Sequence, residues 1–138
     1  MKVAYVLPTI QNPSGWRTHA SAFIQAMQAY VEPVLFASSA DLEAARSLFP
    51  GCPVHALPAT QEASLSGAGG WRSLAASYLA IRRNRFPPVD LVHALEAYPA
   101  GLVGSWLADR MGCPLALTAH GTYGIVWHAR PLDRLVYT

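Results

Sequence analysis

The sequence predicts an α/β domain built on a doubly wound parallel sheet of the Rossmann-like type. Short apolar runs rich in Val, Leu and Ala alternate with helical patterns along the chain. The runs are continuously apolar, which is typical of strands that are buried on both faces of a sheet. Parallel neighbours need a crossover connection, and the intervening helices supply it. We therefore expect at least five parallel strands in the order 3-2-1-4-5.

The composition agrees with one globular domain. The chain has 138 residues, of which 52% are hydrophobic and only 13% are charged. An average soluble domain has about 25% charged residues, so this chain is expected to leave an apolar surface uncovered. Disorder is excluded by the high apolar content. The formal net charge of +2 gives no support to a nucleic-acid-binding role.

The predicted elements follow one another without an internal repeat. The five apolar runs predicted as buried strands are residues 2–7, 33–37, 53–57, 89–94 and 114–119. The helical patterns between them are residues 16–30, 41–49, 71–86 and 99–112. The first helix is expected to turn one apolar face to the core, formed by Ala20, Phe23, Met27 and Tyr30. The third is expected to bury Trp71, Leu74, Tyr78 and Ile81.

Capping and breaking residues set the predicted boundaries. Asp41 is a suitable N-cap for the second helix, and Pro99 suits the first position of the fourth. Gly112 suits the left-handed turn that follows a helix. Residues 61–70 are small and polar, which predicts a mobile loop. A last helical pattern starts at residue 131 and runs to the end without a cap, so the sequence looks cut short.

The cysteines and the termini favour a reducing compartment. Cys52 and Cys113 have no C-x-x-C partner or ligand spacing, so they are predicted to be buried thiols. Neither a signal peptide nor a membrane span is found, and we expect a cytoplasmic protein. Residues 82–85, Arg-Arg-Asn-Arg, close the third helix, where cations stabilise its negative end. The alternative is contact with anionic lipid or a phosphorylated acceptor, which would place the protein peripherally at a membrane.

Three loops are the candidate positions for chemistry. In a doubly wound sheet, ligands bind beyond the carboxyl ends of the strands where the strand order reverses. The loops that this rule selects are residues 8–15, 95–98 and 120–124. Dinucleotide, P-loop and nucleophile-elbow motifs are absent from the sequence, so classical dehydrogenases, NTPases and α/β-hydrolases lose weight. The remaining histidines, His19, His55 and His128, lack ligand partners, and no metal is assigned.

Each candidate residue has a structural and a functional interpretation. Gly15 after Ser14 would let a phosphate approach the positive end of the first helix, or it only makes the turn. His120 can donate a hydrogen bond to a ligand hydroxyl or carbonyl, or it bonds a neighbouring backbone group. Glu96 can accept hydrogen bonds from sugar-like hydroxyls, or it forms a simple ion pair with Arg17.

Three segments resemble the glycogen-synthase-like GT-B glycosyltransferases. They are residues 3–8 continuing through Ser14-Gly15-Trp16-Arg17-Thr18-His19, residues 90–101 around Leu95-Glu96-Ala97-Tyr98-Pro99, and residues 114–122 with the His120-Gly121 end. They occur in the family's order over nearly the whole chain. The family usually has Gly-Gly before the first helix where this chain has Ser14-Gly15, which leaves one flexible position instead of two.

The resemblance implies transfer of a sugar from a nucleotide-sugar donor to an acceptor with retention of configuration, without a metal or other cofactor. It implies that His120 is the catalytic residue near the reaction centre. The residues implied to bind the donor are Ser14, Gly15 and Gly121. Those assigned to the acceptor side are Arg17, Glu96, Tyr98, Thr122 and Tyr123.

The resemblance also bears on domain organisation. Residues 1–138 would be the N-terminal, acceptor-side half of a GT-B architecture, truncated, with the second nucleotide-sugar-binding domain absent. A missing C-terminal domain, a partner subunit or self-association would cover the exposed surface, and the chain alone should not turn over a sugar nucleotide. Two alternatives stay open, namely half of a sugar-nucleotide epimerase-like enzyme and a binding domain without catalysis.

Overall fold

One parallel sheet forms the centre of the molecule. The computed structural model describes residues 1–11, 13–58 and 68–118, with only the backbone for residues 68–70. The strands are β1 (Lys2–Val6), β2 (Glu32–Ser38), β3 (Val54–Leu57), β4 (Leu91–Ala94) and β5 (Leu115–Leu117). They are parallel and lie in the order β3-β2-β1-β4-β5. The predicted fold class and strand order are confirmed.

Helices connect the strands. They are α1 (Gly15–Met27), α2 (Leu42–Leu48), α3 (Ala68–Arg83) and α4 (Leu102–Met111). A 3-10 turn, Ser39–Asp41, precedes α2, and a π-helical turn, Ala97–Gly101, precedes α4. The predicted helix from residue 131 and the loop over residues 61–67 lie outside the described residues, but residues 68–70 belong to α3 rather than to a loop.

The sheet has a core on each face because successive side chains of a strand point to opposite sides. Val3 and Tyr5 of β1 pack with α1 and α2 in one buried cluster. Ala4 and Val6 of the same strand pack with α3 and α4 in the other. Both faces of β1 are therefore dry, as its uninterrupted apolar sequence predicts.

The strand β5 is less buried than predicted. Leu115 is 39% exposed and Leu117 is 50% exposed. Their side chains share a face with Val92 and Ala94 of β4, because paired residues of parallel strands point to the same side. The strand lies at the edge of the described sheet and has a described neighbour on one side only, so its apolar side chains gain less cover than those of β1.

The predicted inner face of α1 is partly wrong. The helix ends at Met27, and the fully buried positions are Ala20 and Ile24. The carbonyl of Met27 accepts hydrogen bonds from the backbone N–H groups of Tyr30 and Val31, at 2.9 and 3.0 Å, which turns the chain toward β2. Tyr30 lies beyond the helix and is 80% exposed.

The predicted inner face of α3 is also partly wrong. Leu74 and Ile81 are buried, but Trp71 and Tyr78 are 53% and 42% exposed. The helix ends at Arg83, earlier than predicted, because the residues before Pro87-Pro88 are biased away from helical backbone. The buried stripe is therefore narrow, and large apolar side chains remain on the outer side.

The capping predictions have mixed outcomes. Gly112 adopts the left-handed conformation after α4 (φ 67°, ψ 34°), as predicted. Tyr98 has extended backbone, and helical backbone starts at Pro99, as predicted. Asp41 is the N-cap of α2, but its side chain makes no capping hydrogen bond there. The thiols of Cys52 and Cys113 are free but half-buried rather than buried.

Candidate functional site

The candidate site lies at the carboxyl ends of β1 and β4, which are neighbours in the centre of the sheet. The backbone N–H of Leu95 donates to the carbonyl of Val6 at 3.1 Å, so the loops that follow the two strands start side by side. From β1 the chain leads to β2 on one side, whereas β4 pairs on the other side. This reversal of strand order creates the crevice in which doubly wound folds bind ligands.

The amino end of α1 opens toward this crevice. The extended backbone of Ser14 (φ −155°, ψ 163°) makes it the N-cap, and its Oγ accepts a hydrogen bond from the backbone N–H of Arg17 at 3.1 Å. The carbonyl of Ser14 accepts from the N–H of Thr18 at 3.0 Å. The first turn has no acidic residue. The positive end of the helix is therefore not neutralised from within the helix.

Gly15 occupies open space at the first position of α1. A Cβ built on Gly15 meets no heavy atom within 4 Å in the described part of the chain. Its φ is not in the left-handed region, so a turn does not demand glycine at this position. Within the described residues its amide has no hydrogen-bond partner. One backbone donor of the helix end is thus accessible to a ligand.

A buried carboxylate that sequence reasoning missed holds the loop after β1. Asp41 is fully buried, and its Oδ1 accepts from the backbone N–H of Ile10 at 3.1 Å. Its Oδ2 accepts from the hydroxyl of Ser38 at 2.6 Å, and its own N–H donates to that hydroxyl oxygen at 3.1 Å. The Ser-x-x-Asp spacing directly after β2 is the signal that could have identified this clamp.

Arg17 is directed to the β1 loop rather than to Glu96. Its Nη1 donates to the carbonyl of Gln11 at 3.4 Å. The Gln11 Nε2 in turn donates to the carbonyl of Ala40 at 2.7 Å. Within residues 1–11, 13–58 and 68–118, the ion pairs do not include Arg17 with Glu96. The predicted alternative of a simple ion pair between these two residues is therefore wrong.

Glu96 and Tyr98 follow β4 and are both buried. Glu96 is 7% exposed and Tyr98 is 8% exposed, and both have extended backbone. Tyr98 belongs to the apolar cluster between the sheet and the helices α3 and α4. Burial limits the part of each side chain that a substrate could contact, and Tyr98 has a clear packing role.

His93 was not predicted as a site residue, but it joins the ends of β4 and β5. Its Nε2 shares a hydrogen bond with the Thr118 hydroxyl at 2.8 Å. Its ring lies 5.6 Å from that of Tyr5 and 5.3 Å from that of Phe23, measured between centroids. Burial lowers the pKa of His93, and the neighbouring positive charge of His19 lowers it further. A neutral imidazole thus anchors the end of β5.

The structure brings together only part of the predicted site. Ser14 and Gly15 lie at the end of β1, and Glu96 lies at the end of the adjacent β4. His120, Gly121, Thr122 and Tyr123 lie outside the described residues. Among the described residues, no group of three His, Cys, Asp or Glu side chains could hold a metal ion. No helix in the described part of the chain is long and apolar enough to cross a membrane.

Comparison with known proteins identifies the family. No curated protein sequence matches the chain. The family model of the glycosyl transferase 4-like domain matches residues 14–138, which is most of the chain. This match, together with the five-stranded parallel sheet and its flanking helices, supports an N-terminal domain of a GT-B-type glycosyltransferase. The chain belongs to the glycosyl transferase 4-like domain family.

Proposed function

We propose that residues 1–138 form the acceptor-side N-terminal domain of a retaining glycosyltransferase, which moves a sugar from a nucleotide-sugar donor to an acceptor. The observation that carries the proposal is the open amino end of α1 at the crevice between β1 and β4, in a chain of this family. The second wall of the cleft would come from a C-terminal domain or a partner subunit. The family match favours this function over half of an epimerase-like enzyme and over a binding domain without catalysis.

The donor diphosphate would lie against the first turn of α1. The accessible amide of Gly15 and the positive helix end suit a phosphate. The Ser14 hydroxyl oxygen is engaged with the Arg17 amide, so Ser14 contributes by shaping the turn. The clamp through Asp41 keeps the preceding loop in place, because it ties Ile10 to the end of β2. Preorganised donors of this kind cost no rearrangement when charge develops on the leaving diphosphate.

The other roles extend the resemblance. His120 would act near the donor sugar, and Gly121 would allow close approach of the backbone to the donor. Arg17, Glu96, Thr122 and Tyr123 would bind the acceptor, and Tyr98 would support that wall from the core. His93 would position the start of the His120 segment, since it bonds Thr118 two residues earlier.

The donor contact can be tested by substitution of Gly15. Gly15→Val places a side chain in open space, so the fold should be retained while the phosphate approach is blocked. We expect binding of UDP, GDP or ADP, whichever the wild-type chain binds, to weaken by about tenfold or more, because a hydrogen bond to a charged group is lost. Amide chemical shifts of the 15N-labelled chain during nucleotide titration give both the affinity and the response of residue 15.

The control is Gln25→Val, which adds the same side chain at an exposed position of the same helix. It should bind nucleotide like the wild type. Equal affinity of Gly15→Val and wild type, with both variants folded, would remove the α1 end from the donor site. In the enzyme with both domains, His120→Ala should lower kcat with little change in Tm, and unchanged turnover would remove His120 from the site.

A further inference from the structure

The outer face of α3 differs from an ordinary solvated helix face. Six of its exposed residues are large apolar or cationic side chains, and at 100° per residue they fall within an arc of about 140°. We call this surface the α3 outer face, and its residues are Trp71, Arg72, Tyr78, Leu79, Arg82 and Arg83. It extends along a helix of 16 residues, which is about 24 Å long.

The α3 outer face is cationic without internal compensation. The helix sequence contains no Asp or Glu. In the described part of the chain the ion pairs are Lys2 with Glu32 and Arg46 with Glu43, so the arginines of α3 have no carboxylate partner there. Next to the end of α3, Arg85 and Arg110 line a cavity of about 330 Å³. This side of the domain thus attracts anions.

The apolar side chains of this face are large and held in place. Trp71 is 53% exposed, Tyr78 is 42% exposed and Leu79 is 46% exposed. The Tyr78 ring packs edge-on against Trp106 of α4, with 5.4 Å between the centroids. Their exposure to water is unfavourable unless a partner covers them.

We propose that the α3 outer face docks the domain on a membrane surface that carries anionic lipid. Trp and Tyr suit the boundary between headgroups and acyl chains, and Leu inserts below it. The arginines interleaved with them would contact lipid phosphates, and each cation near such a surface strengthens attachment. The mixture of both residue types on one convex helix face fits a bilayer better than nucleic acid, which needs a continuous cationic footprint. The helix lies on the surface and does not cross it.

The test measures binding of the 138-residue chain to lipid vesicles by co-sedimentation. We expect binding to vesicles of equimolar phosphatidylglycerol and phosphatidylcholine, weaker binding to phosphatidylcholine alone, and weakening by salt. The double variant R82Q/R83Q should bind the anionic vesicles about 30-fold more weakly, because each arginine near such a surface is worth about fivefold in partitioning. Trp71→Ser should also weaken binding, and its indole fluorescence is lost from the lipid-induced shift.

Matched controls separate this face from general charge and hydrophobicity. K2Q/R46Q lowers the net charge equally but lies outside α3, and Tyr30→Ser removes an aromatic ring that is 80% exposed elsewhere. Both should bind vesicles like the wild type. Equal losses in K2Q/R46Q and R82Q/R83Q, equal binding to neutral and anionic vesicles, or binding to polyuridylate without binding to vesicles would each overturn the proposal.

Discussion

The outer faces of α1 and α3 are unlike each other, although both helices cover the same sheet. Each helix buries a narrow stripe: Ala20 and Ile24 in α1, and Leu74, Ser77 and Ile81 in α3. The outer residues of α1 are small or polar, including Thr18, Ala22, Gln25 and Ala26. The α3 outer face instead carries Trp, Tyr and Leu among arginines.

This difference shows when helical periodicity locates a core. A helix with one polar face can place its apolar stripe only toward the sheet. On α3 the apolar side chains extend around more than one face, so the periodicity of Trp71 and Tyr78 does not say which stripe is buried. The outer stripe requires another partner, and the docking proposal supplies one.

Equal substitutions at the two inner faces should have the largest effect. Ile24→Ala and Ile81→Ala each remove a fully buried side chain and leave a cavity, so each should lower the free energy of unfolding by about 2–5 kcal/mol. Chemical denaturation measures both. The outer-face controls Gln25→Ala and Trp71→Ala should stay within about 0.5 kcal/mol of the wild type. A loss for Trp71→Ala as large as that for Ile81→Ala would break the distinction between the faces of α3.

The amino end of α1 should respond to a smaller extent. Ser14→Ala removes the hydroxyl oxygen that accepts from the Arg17 amide and should lower the free energy of unfolding by about 1 kcal/mol. Thermal denaturation measures this loss. Ser21→Ala is the matched control, because Ser21 lies inside the same helix and alanine favours helix there. If the two variants were equally stable, the cap would have no role in holding the candidate donor site.

The smallest expected effect is a pH dependence that compares the two sheet faces. Burial lowers the pKa of His93, on the α1 side, and of His55, which stacks on Phe36 on the α3 side, below the ordinary value of 6.5. Protonation then favours the unfolded chain, so the stability they contribute is present above pH 6.5 and is lost as the pH falls toward the lowered pKa values. Urea denaturation on both sides of pH 6.5 should show this slope.

Glutamine variants assign the slope to one face or the other. His93→Gln and His55→Gln should each make stability less dependent on pH, because each removes one titrating group. His19 adds to the effect at His93, since its positive charge lowers the pKa of that imidazole further. A slope unchanged in both variants would show that the acid sensitivity arises elsewhere in the chain.

Much of the fold could be predicted because its causes are local or general. The apolar runs define the strands, and the right-handed crossover rule orders them once helices lie between them. Gly112 is predicted correctly because the left-handed turn is a property of the residue itself. The position of Gly15 at the candidate site follows from the same rules, since it ends the first strand-to-helix loop.

What the sequence by itself determined is thus the class of fold, the strand order and the loops in which ligands would bind. Only the tertiary structure decided which stripe of α3 faces the core, because that depends on neighbours distant in the chain. It also decided that Asp41 clamps Ile10 across 31 positions and that Arg17 turns away from Glu96. A local pattern specifies backbone conformation, whereas burial and side-chain partners arise only when remote segments exclude water together.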